Sequence, residues 1–268
     1  MKYYEEIVKN RQSCRSFEDI SVEFEKIEAI TDYHEDEESD LVDEIKTELK
    51  FYGSKAYGLL KDSVGYNGIC IKAPQYAVLY SEKADHYLEN AGYIIQGITL
   101  KMTELGLAAC WLTINDAEAA KAALGEDTDL ELACVLAFGY RAKDNEEKKA
   151  PKISLDELCM GPDFKTEVNT DLFYHELEDS LRASAHAQSF QNLQPYRMLV
   201  DPTTVHLVGL PSEMTNDYDT KLNYGIVMFN FYSVMGAVRP QAPRWSFDAP
   251  EHDLKLPDDV EYVAKIKI

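Results

Sequence analysis

With 268 residues the chain holds one large domain or two small ones, at roughly 100–200 residues per domain. Hydrophobic residues at 45% and charged residues at 28% are ordinary globular values, which excludes a chain disordered along most of its length. Lys and Arg number 27 against 48 Asp and Glu, and the resulting formal charge of −21 repels nucleic-acid backbones and anionic lipid.

The opening MKYYEEIVKN has no signal-peptide-like apolar stretch, and no run reaches the roughly 18–20 apolar residues of a spanning helix, so a soluble, cytoplasmic protein is expected. Cys14, Cys70, Cys110, Cys134 and Cys159 are widely spaced, form no C-x-x-C pair and read as reduced thiols. His34, His86, His175, His186, His206 and His252 show neither H-E-x-x-H nor i, i+4 pairing, so no metal site is expected.

In chain order, Tyr3 to Lys9 reads as an opening helix, and the acidic run His34 to Asp40 as a solvated loop without the glycine and spacing of a calcium loop. Tyr76 to Tyr80 is a β-like run. From Glu82 to Leu105 apolar residues recur at steps of three and four, predicting a buried helix stopped by Gly106. β-like runs follow at Ala109 to Thr113 and Leu132 to Phe138, separated by a short helix, Asp116 to Leu124, with an acidic N-cap. The charged stretch Arg141 to Lys152 reads as a linker between halves. Beyond it come a helix from Asp171 to about His186, β-like runs Met198 to Val200 and Val205 to Val208, an apolar helix from Lys221 to Val238, and an alternating strand from Tyr262 to Ile268. The layout is α+β. An echo links the two buried helices: Asn90-Ala91-Gly92 resembles Asn223-Tyr224-Gly225.

Three segments are candidates for chemistry. Arg11-Gln12-Ser13-Cys14-Arg15-Ser16-Phe17 sets two guanidinium groups around a hydroxyl, which suits a phosphate; the alternative is a surface loop whose arginines pair with nearby carboxylates. Leu105 to Thr113, LGLAACWLT, either lets backbone approach a planar ring or is an ordinary helix-to-strand turn with Trp111 in the core. Ala187 to Arg197, AQSFQNLQPYR, either reads the polar edge of a heterocycle or is a polar loop.

Taken jointly, R-x-S-x-R-x-F, a helix ending in L-G-L-x-x-C-W, a strand ending in Gly139-Tyr140 and A-x-S-x-x-N-x-Q-P-[aromatic]-R resemble the nitroreductase family of FMN-dependent oxidoreductases. The order departs from that family, whose S-x-x-N-x-Q-P segment precedes the G-L-x-x-C-W helix. Family members are intertwined homodimers whose flavins touch both subunits. The resemblance therefore implies a nitroreductase-like α+β fold of mixed or antiparallel sheets flanked by helices, fused as a pseudo-dimer, with residues 1–158 as one half and 159–268 as the other.

The resemblance implies that Arg11, Ser13 and Arg15 hold the FMN phosphate with Gln12 nearby, that Ser189 and Asn192 approach the flavin from the other half, and that backbone at Trp111, Leu112 and Thr113 lines the ring. Lys152 resembles a basic residue near the phosphate. Gln188 stands where the family has proline, and Tyr196 where it has tryptophan. The implied activity is two-electron transfer from NAD(P)H through FMN to nitro compounds, quinones or similar acceptors, by a monomeric chain and with no catalytic side chain required. Acceptor choice is expected to rest on loops such as Phe51 to Tyr66. A flavin-binding protein without turnover, a sensor or FMN store, is the alternative.

Overall fold

The computed structural model describes residues 2–36, 40–143, 149–237 and 244–268. Part of the acidic run (37–39), part of the expected linker (144–148) and the expected helix end at Val238 lie outside the described residues. The chain divides into two compact units: Arg11–Lys149, and a C-terminal unit made of Ala150–Ile268 together with Met1–Asn10. The division thus falls nine residues before the expected 158/159 boundary (158 − 149), and the first ten residues go with the later part of the chain.

In the Arg11–Lys149 unit a four-stranded antiparallel sheet has the order β1 (Thr47–Gly53), β2 (Gln75–Ser81), β4 (Glu131–Gly139), β3 (Ala108–Leu112). The two central strands, QYAVLYS and ELACVLAFG, are buried almost throughout, which is why they read as continuous apolar runs. Leu60, Tyr76, Val78, Tyr80 and Val135 form one core cluster, served by α2 (Ala56–Leu60) and α4 (Ala117–Leu124). The long α3 (Tyr87–Glu104) also packs on β2, β3 and β4, with α1 (Phe24–Glu35) against it. Its end is set locally: Gly106 adopts φ +76 and Leu107 N–H reaches Met102 O at 2.8 Å, a Schellman closure that turns the chain into β3. Asp116 caps α4 by accepting from Ala119 N at 2.9 Å.

The C-terminal unit has a sheet of order β5 (Cys159–Met160), β6 (Tyr196–Val200), β7 (Thr204–Gly209), β8 (Glu261–Lys267), parallel at β5/β6 and antiparallel elsewhere. α5 (Leu155–Leu158) leads into β5, and α6 (His175–Ala185) packs against α7 (Asp217–Gly236). The opening helical segment, Tyr4–Val8, packs on α6, with the Tyr4 ring edge-on to His186 at 5.6 Å. Burial pushes the Tyr4 phenol up to about 12, so it stays a neutral hydrogen-bonding group.

The two units repeat one order of elements. Helix, loop, strand, antiparallel strand, long helix and a further antiparallel strand run as α1, β1, β2, α3, β4 in one and α6, β6, β7, α7, β8 in the other, with α2, β3 and α4 additional in the first and α5 and β5 in the second. The second strand pairing carries one register shift in each, at Leu79/Tyr80 and at Leu207/Val208. The sequence missed α1, β1, α2, α5 and β5, and Phe51 to Tyr66, expected as loop, is in part β1 and α2. β1 is half-buried along its length and mixes Lys and Glu with apolar residues, so it carries no clean alternation.

His206 gives the C-terminal unit a pH dependence. It is 2% exposed on β7, neither ring nitrogen has a hydrogen-bond partner, and Asp201 Oδ2 stands 3.5 Å from Nε2. Burial lowers its pKa, against the opposing pull of Asp201. The folded state therefore binds this proton less readily than the unfolded chain. Its contribution is complete above the unfolded value of about 6.5 and is lost as pH falls toward the lower folded value. Denaturant titrations at pH 7.5 and 5.5 should show wild type weaker at pH 5.5, with a smaller difference in His206→Phe. An equal difference in the variant rules out His206 as the source.

Candidate active site

The Arg-x-Ser-x-Arg segment lies along the sheet's β3 edge. Ser13 forms a parallel bridge with Ala109, Cys14 N donates to Ala109 O at 3.0 Å, and Phe17 bridges Arg141. Gly139 makes room there: a Cβ would stand 2.5 Å from Pro74 Cγ, and Phe17 Cδ1 is 3.6 Å away. Tyr140 donates to Glu23 Oε2 at 2.5 Å and receives Lys26 Nζ at 2.9 Å, while Lys26 also caps α3 through Leu105 O at 2.8 Å. These bonds fix the segment before any ligand arrives.

Arg11 is half-buried, but its Nη1 is shut from water and has no hydrogen-bond partner. Burial, with Arg141 nearby, pushes the guanidinium down to about 10, while Cys110 opposes the shift. It is a cation at neutral pH with an unused donor. Trp111, on β3 opposite Leu136, has the same property: its Nε1 is buried without a partner, whereas Trp245 Nε1 donates to Met228 O at 2.9 Å. Such groups are costly when left unmatched, so both favour an acceptor-bearing ligand. Thr113 O accepts from Gly65 N at 2.7 Å, and Asn115 Nδ2 donates to Gly65 O at 2.8 Å, which ties the end of the Phe51–Tyr66 segment to the chain after β3. Arg11, Gln12, Ser13, Arg15, Trp111, Leu112 and Thr113 thus belong to one unit, and the Ser13–Ala109 bridge joins their two segments.

Lys152, Ser189 and Asn192 belong to the C-terminal unit. Lys152 Nζ donates to Ala187 O at 2.8 Å and to Asn192 Oδ1 at 2.9 Å, and Asn192 Nδ2 donates to Pro151 O at 2.8 Å. Ser189 Oγ accepts from Gln194 N at 3.0 Å. Phe190 N donates to Asn223 Oδ1 at 3.1 Å, and in the other unit Leu41 N and Val42 N donate to Asn90 Oδ1 at 2.8 and 3.0 Å. In each unit, then, an asparagine of the long helix holds the backbone of the loop before the first repeated strand. Those asparagines were noticed in the sequence only as part of a glycine-bearing echo. Gln194, read in the sequence only as part of the third candidate segment and its motif, bonds Ile153 N and Asn192 O.

The fold is that of nitroreductases. A protein of Thermotoga maritima described as a putative nitroreductase superposes with a TM-score of 0.63 at 14% identity, over 99% of this chain and 93% of its own. An FMN-dependent nitroreductase of Clostridium difficile (22% identity, 56% of this chain and 92% of its own, TM-score 0.44) and a nitroreductase with bound FMN from Bacteroides fragilis (17%, 55% and 93%, 0.43) are also similar. No curated protein matches the sequence. The family model described as "Putative TM nitroreductase" matches residues 3–235, and the chain belongs to that family.

In the ligand-free protein the unmatched Arg11 nitrogen contributes no hydrogen bond to stability. Arg11→Met should therefore leave the unfolding free energy unchanged or raise it by up to about 1 kcal/mol, since an apolar side chain of similar length carries no buried charge. A measured loss greater than about 1 kcal/mol would mean that the guanidinium has a structural partner.

Proposed function

We propose that the chain is an FMN-dependent NAD(P)H oxidoreductase of nitroreductase type, acting on nitro compounds, quinones or similar electron-poor acceptors. The observation that carries this reading is the buried, unmatched Arg11 donor in an R-x-S-x-R segment anchored to β3, in a chain of this family. The residues present fit a phosphate-bearing planar cofactor: Arg11 and Arg15 supply cationic forks, Ser13 a hydroxyl, and Trp111 a buried N–H without an acceptor. When bound, FMN supplies two-electron hydride chemistry between NAD(P)H and the acceptor.

The chain's own contribution is binding and electrostatics. Arg11 and Arg15 neutralise the phosphate, and Gln12 stands beside the same group. The backbone of Trp111 and Leu112 is paired with β4, and Thr113 follows at the end of that strand. The resemblance gives Ser189 to the same cofactor. No side chain has to carry a covalent intermediate or an obligatory proton.

A cytosolic monomer that is a fused pair of nitroreductase-like halves completes the proposal. The repeated element order, the matching register shifts and the paired roles of Asn90 and Asn223 support the duplication. The five buried free cysteines fit a reducing compartment.

The purified protein should be yellow, bleach on anaerobic addition of NADH or NADPH, and recover its colour with a nitroaromatic or quinone. Flavin that stays oxidised would favour a sensor or store. A colourless protein whose melting temperature is unmoved by FMN would end the flavin reading.

Removing both cationic forks, Arg11→Ala with Arg15→Ala, should weaken FMN binding about a hundredfold or more in a fluorescence titration, the scale of two lost bonds to a charged group. Wild-type affinity in the double variant would remove the phosphate assignment.

Light scattering during turnover should find the active species at the mass of one chain. Activity confined to a dimer would contradict the fused pair.

A further inference from the structure

Within the C-terminal unit lies an open cavity of about 470 Å³, lined by the segment Pro151–Ile153, the end of the loop before β6, Arg197 on β6 and the residues that follow β7. Its volume falls in the range of about 300–1,000 Å³ that small-molecule sites occupy. Ile153, Leu193 and Leu210 give it apolar walls, and Pro151, Pro195 and Pro211 add rings whose backbone φ is fixed. Hydrogen bonds brace those walls: Asn192 Nδ2 donates to Pro151 O at 2.8 Å, and Ile153 N to Gln194 Oε1 at 2.9 Å. The two segments are tied together before anything enters.

The same bonding commits much of the polar lining to the protein itself. Lys152 Nζ is turned onto Ala187 O at 2.8 Å and Asn192 Oδ1 at 2.9 Å, and Gln194 Nε2 onto Asn192 O at 3.2 Å. Arg197 differs. Its side chain is 18% exposed, and among the described residues it makes one hydrogen bond, from Nη1 to Tyr196 O at 2.7 Å. Glu157 Oε1 stands 3.6 Å from Nη2, an ion pair too long for a hydrogen bond, and the Glu157 side chain is itself 62% exposed. Four of the five N–H groups of the fork are left over. Burial pushes this guanidinium below the usual arginine range, with Glu157 and Tyr196 opposing the shift. Ser212 adds a second donor: its Oγ accepts from Met214 N at 3.3 Å, which leaves the hydroxyl proton for another acceptor.

We propose that this cavity binds a small organic carboxylate, with its charged end on Arg197 and Ser212 and its apolar body against the leucine and proline walls. An arginine fork with unused donors matches the two oxygens of a carboxylate. Inorganic phosphate would leave the apolar walls uncovered. Lys152 contributes charge without a bond, so the lining carries two cations against the single carboxylate of Glu157, in a chain whose net charge of −21 repels anions elsewhere. The site lies within Ala150–Ile268 and does not depend on the flavin reading.

The test is a calorimetric titration with benzoate, joined to NMR shift mapping, with FMN in excess so that a flavin site is already filled. Saturable binding is expected, with shifts around Ile153, Arg197 and Leu210. Benzamide, of the same shape without the charge, and inorganic phosphate should each bind about tenfold more weakly or worse, and Arg197→Met should weaken benzoate by the same factor, the scale of a bond to a charged group. Glu157→Gln should tighten benzoate by up to about fivefold, the scale of an exposed ion pair, because it removes the competing carboxylate. Absence of saturable binding, shifts confined to other residues, phosphate binding as tightly as benzoate, or wild-type affinity in Arg197→Met overturns the proposal. Should Arg197→Met fail to fold, Glu157→Gln and Ser212→Ala decide: tightening in the first with weakening in the second upholds the site, and no change in either one overturns it.

Discussion

A half-buried guanidinium with one nitrogen shut away from water and unmatched is the constraint around which the Arg11–Lys149 unit is arranged. Burying that charge is unfavourable, and nothing in the fold requires it unless an anion arrives to share the site. The neighbouring structure holds the cost in place rather than relieving it. The Ser13–Ala109 bridge, the close approach at Gly139 and the Glu23–Tyr140–Lys26 chain all pin the backbone on which Arg11 and Arg15 are mounted. Preorganisation of this kind lowers what a ligand must spend on ordering the protein.

The C-terminal unit follows the same logic with different chemistry. Its candidate segment, Ala187 to Arg197, is met from outside by Lys152, whose Nζ donates to Ala187 O and Asn192 Oδ1, and its amide side chains bond mostly to backbone oxygens and N–H groups. The acidic surface sharpens this contrast: in a chain of net charge −21, a phosphate-bearing molecule is attracted only where cations are concentrated and shielded from the carboxylates around them.

The proposed duplication accounts for both kinds of segment in one chain. The repeated order of elements keeps the long helix and its asparagine in each unit, and in each the asparagine oxygen gathers backbone N–H groups from the preceding loop. The loops themselves have diverged. That of the Arg11–Lys149 unit has Asn90 bonded to Leu41 and Val42 in an acidic stretch, whereas the other keeps Ser189, Asn192 and Gln194. The same device thus fixes two loops of different sequence.

Much of the architecture was legible in the residues themselves. Apolar spacing marked α3 and α7, uninterrupted apolar runs marked β2 and β4, Asp116 marked a cap, and the joint pattern of weak motifs marked the family, because each of these depends on neighbours within a few positions. β1 stayed hidden because an edge strand of mixed polarity is defined by its partner β2 rather than by its own pattern. Only the tertiary structure decided that the first ten residues join the later unit, that Arg11 and Trp111 keep unmatched buried donors, and that Lys152 turns to Ala187 and Asn192. Hydrogen bonds across 35 and 40 positions depend on the path of the folded chain, and no local spacing encodes that path.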